Sequence, residues 1–518
     1  MRLVLWLVTA SLILTIGCGG GGGGSKGPAP ELTQPPVIAS ENGVLRTTLT
    51  IEAAMQNVAG EDVTFPELYN GLYIPPTLHV NPGDQVELRL RNFGYQSTNL
   101  HYHGLVVTPM GMGDNVFLEL EAGLTFDYSF PIPANHDQGM FWYHPHLDPQ
   151  LNTQLSGGMA GALIVGDILA PFPSLQGIPE RVMVLKDLKT VDGFPMIDPD
   201  PAGPTKRTIN GLYQPQITMQ PGQLEFWRIG NMSSNIYYEL SLEGLTFNVI
   251  AEDGNLQNRV IPTDTLLMPP GKRLELLIYG PKKGSYKLKT ADFNTGPEGD
   301  AYPGQVMATV VAQGDAVDPI PLPTQFPPVE DLRDKTLTGR RTVVFADSDN
   351  PNQFLIDGKQ FNANCVDQLI PLGSVEEWTI ENTSQEAHVF HIHQLDFQVV
   401  EVDGAPVPFT GHQDIVTLPP APSDDTPSVV KAIIPFTDPV MVGEFVFHCH
   451  IIQHEVQGMM ASVYVFDPKA PPGDIPPLCQ PPYPEAASAA TGPGKPGAAK
   501  LPAAKGGQAS GATGSPKA

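Results

Sequence analysis

Thirteen residues toward the C-terminal end, His448 to Met460 (HCHIIQHEVQGMM), concentrate the side chains best able to do chemistry. His448, Cys449, His450, His454 and Met459 are all potential metal ligands. The preceding GEFVF alternates as a strand does, so 448 and 450 point to one face and 449 to the other. One strand therefore serves two sites. A cysteine with two histidines and a weak axial methionine is the donor set that suits a blue-copper centre. Cys449, His454 and Met459 supply three of those four donors, and the missing histidine must come from elsewhere in the chain.

The elements that position these residues are legible as a threefold repeat. PTLHVNPGDQVELRLRN (76–92), PQITMQPGQLEFWRIGN (215–231) and VDQLIPLGSVEEWTIEN (366–382) align without a gap on Gly83, Gly222 and Gly373 and on Asn92, Asn231 and Asn382. Each reads as strand, glycine turn, strand. The glycines recur 139 and 151 residues apart, so the repeating unit is a whole domain. Many short strands at that length predict an all-β fold of three antiparallel β-sandwich or Greek-key barrel domains. The expected units are 40–168, 178–316 and 335–468, with Pro-rich joints between them.

The same repeat sorts the histidines. Nine and eleven residues after the shared asparagine stand His101 and His103, then Leu240 and Leu242, then His391 and His393. In GMFWYHPH, GSYKLKTA and GEFVFHCH, the fifth and seventh residues after glycine are His144 and His146, Lys289 and Ala291, and His448 and His450. The middle unit has lost every candidate ligand, and no histidine occurs between 147 and 387. Histidines that merely filled a core would not partition so, because any apolar residue could replace them. Four pairs in i, i+2 register place eight imidazoles on strand faces of units one and three. A multi-metal cluster between those two units is the simplest arrangement. Imidazole alone suits Zn, Cu, Fe and Ni; the adjacent thiolate Cys449 selects copper.

Composition bounds the rest. The 518 residues include 55 Pro and 52 Gly with 16% charged residues, a strand-and-turn composition. A net charge of −26 speaks against nucleic-acid binding. Arg2, the apolar run Leu3–Ile16 and Gly17-Cys18 read as an export signal, 1–18, too short for a membrane span. TIGC before a glycine tract resembles the lipobox of bacterial lipoproteins. The expectation is therefore a protein of the periplasm or cell surface anchored by lipid on Cys18, with a soluble secreted form as the alternative. Residues 19–39 read as a Gly/Pro-rich tether and 480–518 as a disordered tail. Cys365 and Cys479 remain, and an oxidising compartment allows them to pair.

The motifs HYHG (101–104), HPH (144–146), HVFHIH (388–393) and HCHIIQHEVQGM (448–459) together resemble the multicopper oxidases, the family of laccases and bacterial metallo-oxidases, over roughly residues 40–467. That resemblance implies three cupredoxin domains and four copper ions. It implies a type 1 copper on His388, Cys449 and His454 with Met459 axial, and a type 2 copper on His101 and His391. A type 3 pair would sit on His103, His144, His146, His393, His448 and His450. Electrons would pass from Cys449 through His448 and His450, with Asp114 and Glu455 carrying protons. His79, His136 and His412 are left as surface or strand-edge residues. Where many relatives have a further histidine after HPH, this chain has Asp148.

The implied function is a laccase-like oxidase that couples four one-electron oxidations of phenolic or aromatic donors to reduction of dioxygen to two waters. The chain is read as a monomer whose partners are a small reductant and dioxygen. A metallo-oxidase for Fe(II), Mn(II) or Cu(I) is the close alternative; Cu(I) is demoted because 351–440 contains no Met. A copper nitrite reductase would lack the full eight-histidine cluster, and a copper-free relative on the same fold would have lost ligands that this chain keeps.

Overall fold

The computed structural model describes residues 29–196, 205–348, 350, 352–470 and 475–479. The signal, Cys18 and the 480–518 tail lie outside these residues. Each repeat folds as two packed sheets. In the first, strands Val37–Ala39, Thr77–Val80, Gly161–Val165, Gly139–His144 and His101–His103 form one sheet in that order. Glu61–Tyr69, Val44–Val58, Gln85–Asn92 and Thr125–Pro131 form the other. The same connections recur twice. Thr77–Val80 runs parallel to Gly161–Val165, as Gln216–Met219 does to Gln305–Ala312 and Gln368–Pro371 to Met460–Phe466. Antiparallel ladders then join each repeat's last two functional strands: His101–His103 with Gly139–His144, Tyr238–Leu242 with Gly284–Thr290, and His388–Ile392 with Gly443–Cys449.

The residues shared by the repeat have a common physical reason. Gly83, Gly222 and Gly373 all turn the chain at φ near +90° (+88°, +80° and +93°), where a side chain would be strained. The asparagines repeat one hydrogen-bond pattern. Asn92 accepts from Gly94 N and donates to the carbonyls of Gln96 and Leu120. Asn231 accepts from Ser233 N and donates to Ile236 and Met268, while Asn382 accepts from Ser384 N and donates to Glu386 and Pro419. Each buried amide thus pins the loop that delivers the next strand, and in units one and three that strand carries the histidines. Amide side chains suit this because they donate and accept at once.

Two expectations are corrected. The part of the 19–39 tether among the described residues is built into the fold. Val37–Ala39 pairs with Thr77–His79, Glu31 bridges Gln216, and Leu32 is buried in the core of the second domain beside Ile217 and Met219. An apolar side chain and free backbone groups at a sheet edge outweigh the Pro-rich composition. His136, read as a surface residue, is buried: its Nε2 accepts from Val106 N (2.9 Å) and its Nδ1 lies 2.7 Å from the Asp137 carbonyl. Cys365 and Cys479 are joined by a disulfide. No helix among the described residues is long and apolar enough to cross a membrane.

Replacing Leu32 with Ala should cost about 2–4 kcal/mol and lower the thermal midpoint in a calorimetric scan. A midpoint equal to wild type would show that residues 29–36 contribute nothing to the second domain.

Candidate metal centre

Register places the histidines. His101 stands opposite His144 across the first ladder, and His391 opposite His448 across the third. The two ladders face each other, and all eight imidazoles are buried. Their packing has an approximate two-fold relation that follows the repeat: His101 stacks on His393 and His103 on His391, each at 3.9 Å between ring centres. His146 Nε2 and His393 Nε2 lie 3.3 and 3.2 Å from His448 Nε2, and His103 Nδ1 lies 3.2 Å from His450 Nε2.

The outer ring nitrogens are engaged. His101 Nδ1 lies 2.9 Å from Asp114, His144 Nδ1 lies 2.7 Å from the Pro145 carbonyl, and His391 Nδ1 lies 2.8 Å from the Asp414 carbonyl. His448 Nδ1 lies 2.9 Å from Glu455 Oε2. The opposite nitrogens, Nε2 of His101, His144 and His391, are buried with no hydrogen-bond partner. Unpartnered buried nitrogens are costly, and imidazole nitrogens aimed at one another from several directions are the arrangement a metal ion relieves. Ring nitrogens of His146, His393 and His448 lie within 4.8 Å of one another, as do those of His101, His391 and His393.

On the opposite face of the Gly443–Cys449 strand, Cys449 Sγ lies 3.8 Å from His388 Nδ1 and 3.7 Å from His454 Nδ1, and those two nitrogens are 3.0 Å apart. His454 reaches this position because residues Ile452–Val456 form a short helix. That helix is anchored by Ile452 N donating to the Ser234 carbonyl. Val389 N donates to the sulfur at 3.4 Å. Met459 is fully buried, and its backbone bonds both His454 and Cys449. Sulfur with two nitrogens is a soft set that fits copper. Both donor sets therefore fit the metal the sequence implies.

Burial, reinforced by neighbouring histidines, holds His101, His103, His393, His450 and His454 well below the usual imidazole range. Burial likewise takes His146 to about 4. The rings are thus neutral, the form that ligates. Burial raises Asp114 to about 7, although Tyr102 N and Gln394 Nε2 donate to it. Burial also acts to raise Glu455, but His448 and His146 outweigh it and lower that carboxyl.

Several residues around the site escaped sequence reasoning. Gln394 binds Asp114 at 2.7 Å. Asp347 Oδ1 lies 3.3 Å from His388 Nε2, and Glu386 Oε2 lies 3.7 Å from His454 Nε2. Phe354 stacks on His454 at 4.0 Å. Asp414 of the third domain, gripped by Arg273 from the domain without histidines, stands behind His103 and His391. The only signal for Arg273 was a Lys-Arg pair at the start of a mostly apolar strand, KRLELLIY (272–279). Asp148 remains at the exposed end of the HPH segment.

Comparison with known proteins agrees with this geometry. Three family models described as multicopper oxidase match residues 52–168, 182–315 and 333–469. The chain belongs to the multicopper oxidase family. It is 26% identical over 409 residues to the multicopper oxidase mco of Staphylococcus haemolyticus, covering 77% of this chain and 83% of that one. It is 27% identical over 413 residues to the cell division protein FtsP of Yersinia pestis, with 76% and 84% covered. A solved multicopper oxidase from Campylobacter jejuni, described as a metallo-oxidase, superposes with a TM-score of 0.74 at 25% identity over 85% of this chain and 96% of that one. The three sandwiches are accordingly cupredoxin-like domains.

Because burial holds His101, His103, His146, His393, His450 and His454 below the usual imidazole range, these rings bind fewer protons folded than unfolded below about pH 6.5, so their contribution to stability falls as pH falls. Carboxyls that burial raises, Asp114, Asp148, Glu386 and Asp414 among them, act in the opposite sense and make the net slope shallower. The copper-free protein should lose thermal stability steadily as pH drops from about 6.5 toward 4. A midpoint that stays flat or rises over that interval would contradict the neutral-cluster description.

Proposed function

We propose that this chain is a copper-dependent oxidase that takes electrons one at a time from a reductant and delivers four to dioxygen, forming two waters. The observation that supports it most is the dual use of one strand. Cys449 faces His388 and His454, while His448 and His450, its neighbours in the chain, belong to the eight-imidazole cluster. Among the relatives is one named as a cell division protein, so likeness to the family is not by itself the argument for an oxidase. What favours activity is that all twelve candidate ligands are present in the chain, and that the eight cluster histidines and the Cys449, His388, His454 group each converge.

His388, Cys449, His454 and Met459 would hold a type 1 copper, His101 and His391 a type 2 copper, and the other six histidines a type 3 pair. Bound copper would supply the one-electron couple at Cys449 and the multi-electron capacity at the cluster. The chain supplies the path between them, two bonded neighbours of one cysteine, and a dry enclosure. Asp114 holds His101 in orientation, and Glu455 lies between His146 (3.3 Å) and His448 (2.9 Å). Both carboxyls reach the cluster without belonging to it, which suits them to moving protons at its edge. Asp114→Asn or Glu455→Gln should slow dioxygen reduction by roughly 10²–10⁴-fold while leaving reduction at Cys449 unchanged in anaerobic stopped flow.

For the donor, the carboxylates at the rim favour a metal cation over a phenol. Asp347 and Glu386 lie against the outer nitrogens of His388 and His454, with Asp300 and Glu298 close behind. Burial, then Asp300 and Asp347, raise Glu386 to about 8, so negative charge is crowded at this edge. A cation would relieve that crowding and sit where the electron enters. Fe(II) and Mn(II) fit oxygen donors best. Dioxygen uptake with Fe(II), Mn(II) and a dimethoxyphenol should show KM for the metal ion rising about tenfold or more in Asp347→Asn/Glu386→Gln, with the phenol unaffected. Equal effects on both donors would return the preference to phenols, and no uptake from any donor by copper-loaded protein would defeat the oxidase reading. Export and a lipid anchor on Cys18 complete the proposed setting, in which the metal is acquired outside the cytoplasm.

A further inference from the structure

The middle domain offers no metal ligand, yet one of its side chains is among the most completely bonded in the protein. Arg273 opens the strand Arg273–Tyr279 and is 1% exposed. Its Nη1 and Nη2 each donate to Asp414 at 2.7 Å, a two-pronged ion pair. Nε donates to the Met140 carbonyl of the first domain, Nη1 to Gly271 and Nη2 to the Asp253 carbonyl. All five donors of the guanidinium are used, across three domains.

Asp414 carries this clamp to the cluster. Its carbonyl lies 2.8 Å from His391 Nδ1, and its Oδ1 lies 3.5 Å from His103 Nε2. Those are the two rings that stack at 3.9 Å with planes 8° apart. The fork therefore stands directly behind a ligand pair drawn from two different domains. One glycine makes room for the fork and a second lets the middle domain approach the rings. A Cβ on Gly104, the glycine of HYHG at φ +85°, would fall 2.5 Å from Arg273 Nη2 and 2.6 Å from Asp414 Oδ2. A Cβ on Gly271 would fall 3.1 Å from His450 Nε2, so the middle domain's backbone abuts a third ring. Next to it, Lys272 donates to Asp253 (2.8 Å) and to the Ile415 carbonyl (3.1 Å), fastening the residue after Asp414 as well.

We propose that Arg273 is a positioning residue of the eight-imidazole site: from the domain without candidate ligands it fixes Asp414 and, through it, His103 and His391, so that the site is complete only when all three domains are docked. The proposal rests on the copper reading above. A lysine cannot reproduce it, because a single ammonium lacks the planar fork that grips both carboxylate oxygens. Removing either partner also leaves a buried charge unpaired.

The test uses the full chain, loaded with copper, as wild type, Arg273→Lys, Asp414→Asn and Arg181→Met. Arg181 pairs with Glu225 and the Thr218 carbonyl inside the middle domain, so its loss reports plain destabilisation. Arg273→Lys and Asp414→Asn should weaken copper at His101 and His391 by roughly 10–100-fold in chelator competition. They should alter the type 2 EPR signal and leave the blue thiolate band of Cys449 in place. Arg181→Met should lower the thermal midpoint without changing that signal. Wild-type affinity and an unchanged type 2 signal in both variants would overturn the proposal alone, as would the same spectral change in Arg181→Met. Should Arg273→Lys fail to fold, Asp414→Asn, which keeps shape and carbonyl, carries the decision. A wild type that takes up copper at Cys449 but none at the eight histidines would overturn this proposal and the oxidase reading together.

Discussion

Eight imidazoles closed off from water set the terms for the rest of this structure. Desolvation penalises charge in such a place, and a neutral ring with an unpartnered nitrogen is itself costly to bury. The fold meets the first condition by enclosing the rings between two ladders. It meets half of the second by giving the outer nitrogens of His101, His144, His391 and His448 carboxyl or carbonyl partners. The inner nitrogens remain for a metal. Each outer contact also fixes which nitrogen faces inward, so orientation and electrostatics come from the same bonds.

The repeat explains how such an enclosure arises from one kind of unit. Equivalent residues of the first and third domains meet about an approximate two-fold axis, which is why His101 stacks on His393 and His103 on His391. The axis is broken on the outer face, where only the third domain has Cys449 in the place between two histidines; the first has Pro145. Cys449, with His388 and His454 beside it, thus separates a domain that only shares the cluster from one that also gathers a second donor set. The middle domain follows a different course: it has lost its ligands and become the wall against which the other two are held.

The charge distribution gives the two sites different surroundings. Around the cluster, carboxyls are buried and bonded, and Arg273 and Lys272 balance them. At the rim of the Cys449 site, Asp347 is partly exposed, and Glu386 is crowded by other acids with Thr295 as its hydrogen-bond partner. The contrast is one of burial and charge: closed and balanced around the eight imidazoles, half-open and acidic beside His388 and His454.

Residue spacing by itself determined the all-β class, the three units, the two halves of the imidazole cluster and the candidate donors Cys449, His454 and Met459, because strand alternation has a period of two and a repeat preserves register. The type 1, 2 and 3 roles came from likeness to a family, and nothing local distinguishes them. Only the tertiary structure decided that residues 29–39 belong to the fold, that His136 is interior, that Cys365 reaches Cys479, and that Arg273, Asp414, Asp347 and Glu386 border the two sites. Those residues lie on different domains or on loops with no periodic signature, and a lone Arg or Asp in sequence carries no mark of what it will face. Their partners are set by how strands fold back and domains dock, through contacts remote in sequence, 141 positions for Arg273 and Asp414.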